Sequence, residues 1–553
     1  MSKRNLSAWI ITFSAVLVGG CPVEPLVCPA GTTPTGGECV ADGADAGRDT
    51  GVAVDTGRPT VDVGSPDAIV QTDACTPSGM PDVPDAMGLD TNCDGIDGDV
   101  NDSVFVAPTG TAGAPGTQAM PLNSITAALT QAEMLDRSWV LVQNGVYSES
   151  VTLSAGVSVV GGYGSTWLRT PMHAEVRNPG PVLRAMDISA NTLVSQVDFT
   201  ASNASSGQSS IAAWLVRSSG VRLEDGILRA GDGGAGAGGS TPSAAVSGMP
   251  GSAGSRGATG GTCGGVEVAS DTMPGMGGTG CGCAGGSGGR GGGRAPGLFF
   301  LPATAGFTGF CVGSMVPPGG RAGVSGPGGR GTDGPTGAPG SAGAGAAPLG
   351  IFTEAGYAPS GGGMGAAGAV GIAASGGGGG TSDCRTDENC IRSGGAGGGG
   401  GGGGCSGQAG VGGAGGGASI ALLLWQCRPV LVRVQLQSGD GGAGGRGSEG
   451  GPGGMGGPGG APGEAAAGTC SFGPGASHPG GRGGSGGAGG SGGGGGGGTG
   501  GPSIGIVLGP DSDQGAGSSA VSITTGEGGT RGLGGGTAAS GENGFFQPTF
   551  SIP

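Results

Sequence analysis

Apolar residues in the first third of the chain fall into short runs that turn residues separate. Four runs lie at 104–106, 139–142, 151–153 and 157–160, with breaks such as Asn144-Gly145 between them. Short runs rich in β-branched residues, bounded by glycine-containing turns, are typical of β-strands. The pattern therefore predicts an all-β fold built from many short strands.

One stretch has helical periodicity instead. It follows Asn123 and Ser124, either of which can cap a helix, and its apolar residues share one helix face: Ile125, Ala128, Leu129 and Ala132. We expect a single amphipathic helix near the start of the β-rich region.

An apolar unit occurs three times. Its copies begin with Ser-Ile at Ser210, Ser419 and Ser503, and each leads into a Gly-Asp-Gly-Gly or Gly-Glu-Gly-Gly segment. Such a unit cannot bury its apolar face alone, so the three copies should stack directly on one another.

Two long glycine-rich insertions, 232–417 and 440–501, separate the copies. Both leave after equivalent strands and return before Ser-Ile, so they should emerge from one corner of the stack. Glycine often recurs at every third residue, the period of a polyproline II helix. Collagen is disfavoured because the triplets break and contain little proline. We expect an ordered sheaf of polyglycine helices that exchange backbone hydrogen bonds, with a disordered loop as the alternative.

The N-terminus has the organisation of a signal peptide, residues 1–20. Lys3 and Arg4 precede an apolar run at 6–18, which Gly19-Gly20-Cys21 follows. Small residues before a cysteine resemble the lipobox of bacterial lipoproteins, in which that cysteine is acylated. Cys21 is therefore the expected lipid anchor, and the protein should be exported to the cell envelope, at the outer membrane or cell surface. The alternative is simple secretion with Cys21 in a disulfide.

Aspartate dominates the next segment, residues 21–89, which lacks periodicity and should form a disordered, extended stalk. At its end, residues 90–102 alternate oxygen-bearing side chains with glycine, as calcium-binding loops do. The loop resembles the aspartate-rich loops of thrombospondin type 3 and dockerin repeats, but it lacks the final glutamate of an EF-hand. Calcium is the one candidate cofactor, against the alternative of more solvated stalk. The candidate ligands are Asp90, Asn92, Asp94 and Asp97.

The chain has 14 cysteines, which suits an oxidising compartment. With Cys21 acylated, Cys28 can pair with Cys39 and Cys75 with Cys93, and Cys427 should stay reduced beside apolar strands. The other eight lie in the insertions, seven in the first and one in the second: Cys263, Cys281, Cys283, Cys311, Cys384, Cys390, Cys405 and Cys470. Complete pairing then requires a disulfide between the two insertions, which must be in contact.

Composition narrows the function classes. A net charge of −16 disfavours nucleic acid as a partner. The chain has only two histidines for proton transfer, and its 146 glycines leave few side chains for a catalytic core. The carboxylates and arginines of residues 187–229 are scattered along the chain. We therefore expect no enzyme activity.

The order of elements at 103–231 resembles a known family. The turn at 114–117, the helix after Pro121-Leu122 and the segments 144–151 and 156–163 are similar to the start of pectin-lyase-like right-handed β-helices. That resemblance implies parallel coils with an N-terminal capping helix. The insertions are similar in composition to the glycine-rich domains of PE-PGRS proteins, although the Pro-Glu domain is absent.

These inferences define eight segments. They are a signal peptide (1–20), a stalk (21–89), a candidate calcium loop (90–102), a first β-helix part (103–231), an insertion (232–417), a coil (418–439), a second insertion (440–501) and a last coil with a cap (502–553). The expected function is a surface-anchored, non-enzymatic structural or adhesive lipoprotein, contacting the membrane through its lipid and extracellular polysaccharide or surface proteins through its body. The alternative is a polysaccharide-binding or polysaccharide-degrading β-helix protein.

Overall fold

The computed structural model describes residues 32–35, 38–41, 75, 77–79, 81–85, 87–258, 272–294, 300–311, 317–323, 326–382, 392–467 and 477–552. The chain divides into two compact units, 1–73 and 74–553. In the first unit, strands Thr32–Thr35 and Glu38–Ala41 pair in antiparallel fashion. This pair lies within the segment predicted to be a disordered stalk, so that prediction is wrong at these eight backbone positions.

Three parallel sheets of six strands each dominate the second unit. Sheet 1 contains Ser103–Val106, Trp139–Gln143, Ser158–Tyr163, Thr192–Ser195, Val221–Glu224 and Val430–Val432. Sheet 2 contains Val146–Tyr147, Ala174–Asn178, Val197–Ala201, Ile227–Arg229, Gln435–Gln437 and Ser522–Thr524. Sheet 3 contains Val151–Thr152, Leu183–Met186, Ser210–Val216, Ser419–Trp425, Ser503–Leu508 and Phe546–Ser551.

The chain visits the three sheets in rotation. After Trp139–Gln143 in sheet 1 it enters sheet 2 at Val146–Tyr147 and sheet 3 at Val151–Thr152, and then it returns to sheet 1. Most strands therefore pair with the strand one circuit earlier. The apolar side chains that face inward from all three sheets form one buried cluster, which includes Val140, Val176 and Leu215. The prediction of a mostly β fold is confirmed.

The register of the repeats confirms the predicted stacking. Ser210 pairs with Ser419, and Ser419 pairs with Ser503, while the isoleucine that follows each serine pairs in the same way. Parallel pairing in register places identical side chains above one another. Repeated sequence and repeated structure therefore coincide residue by residue.

A single α-helix is found in the described residues, Ile125–Leu135. Ser124 is its N-cap and accepts from the Ala127 N–H, while Glu149 accepts from the N–H groups of Ile125 and Thr126. A carboxylate at this end also complements the helix dipole. The four predicted apolar residues are buried, and they join the same core as the sheets.

Both predicted insertions run from a strand of sheet 2 to the next strand of sheet 3, as expected for a common corner. A third segment, 525–545, makes the same passage between Ser522–Thr524 and Phe546–Ser551. The sequence predicts only a last coil and a cap there. The first insertion also contains short antiparallel strands, namely Thr279–Gly280, Cys283–Ala284, Gly293–Arg294, Phe300–Leu301, Phe310–Cys311, Ile351–Thr353 and Gly356–Ala358.

The end of the predicted stalk belongs to the second unit. Asp82 is only 3% exposed, and its carboxylate accepts from the Thr91 hydroxyl and the Gly98 N–H. Hydrogen bonds to a buried carboxylate offset its lost hydration. Asp82, which lies within the predicted stalk, is therefore packed against the candidate calcium loop.

Candidate functional site

The glycine-rich segments form an ordered body through hydrogen bonds at every third residue. Gly328, Gly331 and Gly334 donate to the carbonyls of Pro479, Arg482 and Ser485 in turn. This period equals the three residues per turn of a polyproline II helix, which has no internal hydrogen bonds. Here the two insertions bond directly to each other, so the predicted contact between them is confirmed.

A central run, residues 394–404, is surrounded by glycine-rich segments. Its N–H groups donate to three neighbours, and its carbonyls accept from three others. The six neighbours are 246–255, 272–278, 286–292, 371–380, 457–463 and 478–487. Two of them belong to the second insertion, so neither insertion completes this arrangement alone.

Close packing of backbone explains the glycine runs. A Cβ atom at Gly399 would lie 2.0 Å from the Met276 carbonyl oxygen, and one at Gly401 would lie 1.8 Å from that of Gly457. No side chain fits at such distances. The uninterrupted glycine runs 376–380, 397–404 and 492–498 are almost entirely buried, whereas the residues between the glycines of 328–343 are largely exposed.

The outer surface of this glycine body is sparsely charged and carries exposed methionines. Five of them are between 61% and 75% exposed: Met249, Met273, Met276, Met364 and Met455. Met249, Met273 and Met276 belong to adjacent segments. The Met249 N–H donates to the Thr279 carbonyl, and the carbonyls of Met273 and Met276 accept from the N–H groups of Ser255 and Ser252. The exposed side of these segments is a broad surface of small residues and thioethers.

Two disulfides join segments of the first insertion. Cys281 is bonded to Cys405 and Cys283 to Cys311, with Cys281 and Gly282 forming the turn between two short strands. Cys427 is a buried free thiol, and burial raises its pKa. Six predicted positions lie outside the described residues: Cys21, Cys28, Cys263, Cys384, Cys390 and Cys470. The side chain of Cys39 also lies outside them.

Residues of the candidate calcium loop form hydrogen bonds with one another. Asp90 accepts from the N–H groups of Asp94 and Gly95, and Asp94 accepts from those of Ile96 and Val100. The Asn92 amide donates to Asp94, and Cys93 is bonded to Cys75. In the described part of the chain, no three His, Cys, Asp or Glu side chains form a group that could hold a metal ion. Calcium binding stays a prediction.

Asp97, the fourth candidate ligand, faces the sheets. Its carboxylate accepts from the Asp85 N–H and forms an ion pair with Arg169 at 3.2 Å, while its carbonyl accepts from the Tyr163 hydroxyl. Burial raises the pKa of Asp97 to about 6, because lost hydration outweighs the Asp85 N–H and the Arg169 charge. Beside it, Ile96 is buried against Phe105, Leu141 and Tyr163. These contacts hold the candidate calcium loop against the outer side of sheet 1.

Several charged residues on and beside the three sheets form ion pairs. Arg217 bridges Asp187 and Glu354, Arg433 pairs with Asp225, and Arg222 pairs with Glu224. His173 contacts Asp198 at 2.8 Å, a hydrogen bond that raises the pKa of the histidine. Each of these carboxylates thus has a basic partner, and Asp187 and Glu354 share Arg217.

A hairpin of the first insertion covers the outer side of sheet 3, which sequence reasoning missed. It consists of Ile351–Thr353 and Gly356–Ala358, and Phe352 packs against Tyr357 and Phe550. Beneath it lie buried side chains of three stacked strands, including Ile420, Leu423 and Val507. The available signal was a cluster of large apolar residues, Ile351, Phe352 and Tyr357, within a glycine-rich segment.

A second missed feature joins the insertions to the sheets. Ser419 and Ser503 donate to the carbonyls of Gly231 and Gly439, where the insertions begin. The carboxylate of Asp232 accepts from the Asp440 N–H, and that of Asp440 accepts from the Glu527 N–H. The sequence shows that the Gly-Asp-Gly-Gly segment repeats, but its role in joining successive circuits depends on the stacking.

No family model, curated protein or solved structure matches this chain. Within the described residues, no helix has the length and apolarity to cross a bilayer.

Proposed function

We propose that this protein is a surface-anchored, non-enzymatic structural or adhesive lipoprotein. In this proposal the three sheets are the faces of a right-handed parallel β-helix, which the helix Ile125–Leu135 caps at its N-terminal end. Lipid on Cys21 anchors the chain in the envelope. The glycine-rich insertions form a polyglycine II body that presents a wide contact surface.

The observation that carries this proposal is the ordered glycine body. Its interior is backbone bonded to backbone, as around residues 394–404, and its exterior exposes small residues and methionines such as Met276 and Met455. An interior of this kind has no pocket-forming side chains, while extended apolar exposure is typical of surfaces that bind other molecules. The described carboxylates Asp187, Asp198, Glu224 and Asp225 each have a basic partner, which favours a non-enzymatic role over glycan hydrolysis.

Cell fractionation and surface labelling test the anchoring. We expect the tagged wild-type protein in the membrane fraction and accessible to an external probe, whereas Cys21→Ser should lose membrane association. Cys427→Ser, which alters a buried thiol, is the matched control and should fractionate as wild type. Membrane retention of Cys21→Ser would contradict the lipid anchor.

An adhesion assay and a glycan array on the same protein separate the two functions. Binding of cells or envelope fragments without glycan turnover supports the adhesive role. Release of reducing ends from a polysaccharide, abolished by Asp225→Asn or Glu224→Gln, would support the enzymatic alternative instead.

A further inference from the structure

Large apolar side chains are exposed in pairs on neighbouring segments of the first insertion. The segments 246–258, 272–280, 283–292 and 303–311 lie side by side, and hydrogen bonds join each one to the next. Two residues spaced by three positions lie on the same side of a polyproline II helix, about 9 Å apart. Three pairs have this spacing, and their side chains are all between 59% and 75% exposed: Val246 with Met249, Met273 with Met276, and Phe307 with Phe310.

The backbone pairing aligns Met249 and Phe310 in one row across the four segments. The Met249 N–H donates to the Thr279 carbonyl, Thr279 is paired with Ala284, and Ala284 is paired with Phe310. The two side chains between Met249 and Phe310 are short, so both ends of the row are accessible together.

A parallel row lies one turn away. The Met276 carbonyl accepts from the Ser252 N–H, and the Phe307 N–H donates to the Ser287 carbonyl. The segments of Met276 and Ser287 are bonded to each other on both sides of these residues, through 275 with 288 and 278 with 285. We refer to the three apolar pairs and the short side chains between them as the apolar surface.

Every charged side chain on these segments is an arginine. The four segments contain Arg256 and Arg290, and the next segment, 317–323, bonds to 303–311 and contains Arg321. All three arginines are exposed, and none of the five segments contains Asp or Glu. Glu464 lies 3.8 Å from Arg256, but both side chains are exposed, and such a pair contributes little. The apolar surface is thus bordered by positive charge, in a chain of net charge −16.

We propose that the apolar surface binds the headgroup region of an anionic phospholipid bilayer. Binding at a bilayer interface combines apolar side chains that enter the acyl boundary with basic side chains that attract anionic lipids. Salt screens charges beyond about 8 Å, so the local arginines outweigh the acidic residues elsewhere in the chain. A second copy would bring the same arginines and no acid from these segments. The inference rests on the proposed contact role of the glycine body, but not on the Cys21 anchor.

Co-sedimentation of the full chain with lipid vesicles tests the proposal. The parent protein carries Cys21→Ser, which cannot be acylated, so the anchor does not contribute to binding. The vesicles contain phosphatidylcholine alone or mixed with about one-third of the anionic lipid phosphatidylglycerol. We expect saturable binding to the anionic vesicles that is at least about tenfold tighter than binding to neutral vesicles and that weakens with added salt.

Variants assign the binding to this surface. Met273→Gln combined with Met276→Gln should weaken binding to anionic vesicles at least about tenfold, and so should Arg256→Gln combined with Arg321→Gln. The controls alter an exposed methionine and an exposed arginine outside the glycine body and should bind as the parent does: Met120→Gln and Arg428→Gln.

Oxidation by peroxide, followed by mass spectrometry, locates the contact without a substitution in the surface. Anionic vesicles should slow the oxidation of Met249, Met273 and Met276 severalfold and leave that of Met120 unchanged. If circular dichroism shows that a combined variant does not fold, this measurement on the parent protein decides.

Three outcomes would overturn the proposal: no saturable binding to anionic vesicles, equal binding to neutral ones, or equal binding by the folded surface variants. Protection of the three methionines that needs no lipid and rises with protein concentration would also overturn it, because a second copy would then cover the surface. Cell adhesion that persists without vesicle binding would leave the proposed function standing and reject the lipid as partner.

Discussion

At the scale of single residues, the glycine body depends on positions without a side chain, and the loop beside sheet 1 is held in part by the contacts of Asp97. Gly399 donates to Ser252 and accepts from Gly460, so it is held by neighbours on two sides. Asp97 is held by an N–H group and an arginine in an apolar setting. Gly399 leaves no room for a side chain, whereas Asp97 holds a carboxyl group where burial disfavours its charge.

Gly399→Ala should destabilise the glycine body by about 3 kcal/mol, because the new methyl group would overlap the Met276 carbonyl, 2.0 Å away. Denaturant unfolding of the purified chain, followed by circular dichroism, measures the change. Gly326→Ala is the control, since a Cβ there meets nothing within 4 Å, and it should change stability by no more than about 0.5 kcal/mol. Equal effects of both variants would contradict the close-packed interior.

Asp97 makes stability depend on pH. Its pKa in the folded protein is raised from 3.8 to about 6, so the folded state holds the proton more tightly than the unfolded state. The stability that this group contributes is fully present below pH 4 and is lost as pH rises through 6, a change of roughly 3 kcal/mol. Asp97→Asn should therefore gain stability relative to wild type over this range. Parallel pH profiles for the two proteins would refute this assignment.

At the scale of elements, sheet 3 packs one face against the core and the other against the hairpin at 351–358. Phe352 is 8% exposed within an aromatic cluster, and Glu354 in the turn pairs with Arg217. The hairpin therefore couples the glycine body to three strands that are distant in sequence.

Phe352→Ala should loosen the hairpin by about 3 kcal/mol, the cost of emptying a buried aromatic site. Amide hydrogen exchange at residues 351–358 should then accelerate by about a hundredfold. Ile351→Ala alters a neighbouring side chain that is 67% exposed, and it should leave the exchange close to wild type. Unchanged exchange in Phe352→Ala would show that other contacts hold the hairpin.

At the scale of the whole molecule, the insertions contribute to one hydrogen-bonded body. The run 394–404 is bonded to 457–463 and 478–487, whereas 525–545 bonds to 492–501 and to 441–447. Distant parts of the sequence therefore complete the surroundings of each central run, and we expect these runs to open cooperatively.

Replacing residues 441–500 with a short Gly-Ser linker should remove two of the six segments that surround the run 394–404, namely 457–463 and 478–487. Its amides should then exchange at least about a hundredfold faster, while those of Trp139–Gln143 stay protected. The control is a shortened 525–545 segment, which should leave the run 394–404 protected. Preserved protection after the larger deletion would mean that the first insertion is stable by itself.

The sequence by itself determined the features that repeat locally. Strand runs, the helix with Asn123 or Ser124 as its cap, the register of Ser210, Ser419 and Ser503, and the threefold spacing of glycine could all be predicted, because a periodic backbone imposes its period on the residues. Buried glycine runs such as 397–404 belong to the same class, since only glycine permits backbone contact on every side.

Only the tertiary structure decided which side chains meet across the fold. The sequence does not predict the contact between Asp97 and Arg169, or that the cysteines at 281 and 283 pair with those at 405 and 311. The hairpin over sheet 3 likewise depends on where separate circuits stack. Such contacts join residues far apart in the chain, and local periodicity carries no information about them because their positions follow from packing the whole molecule.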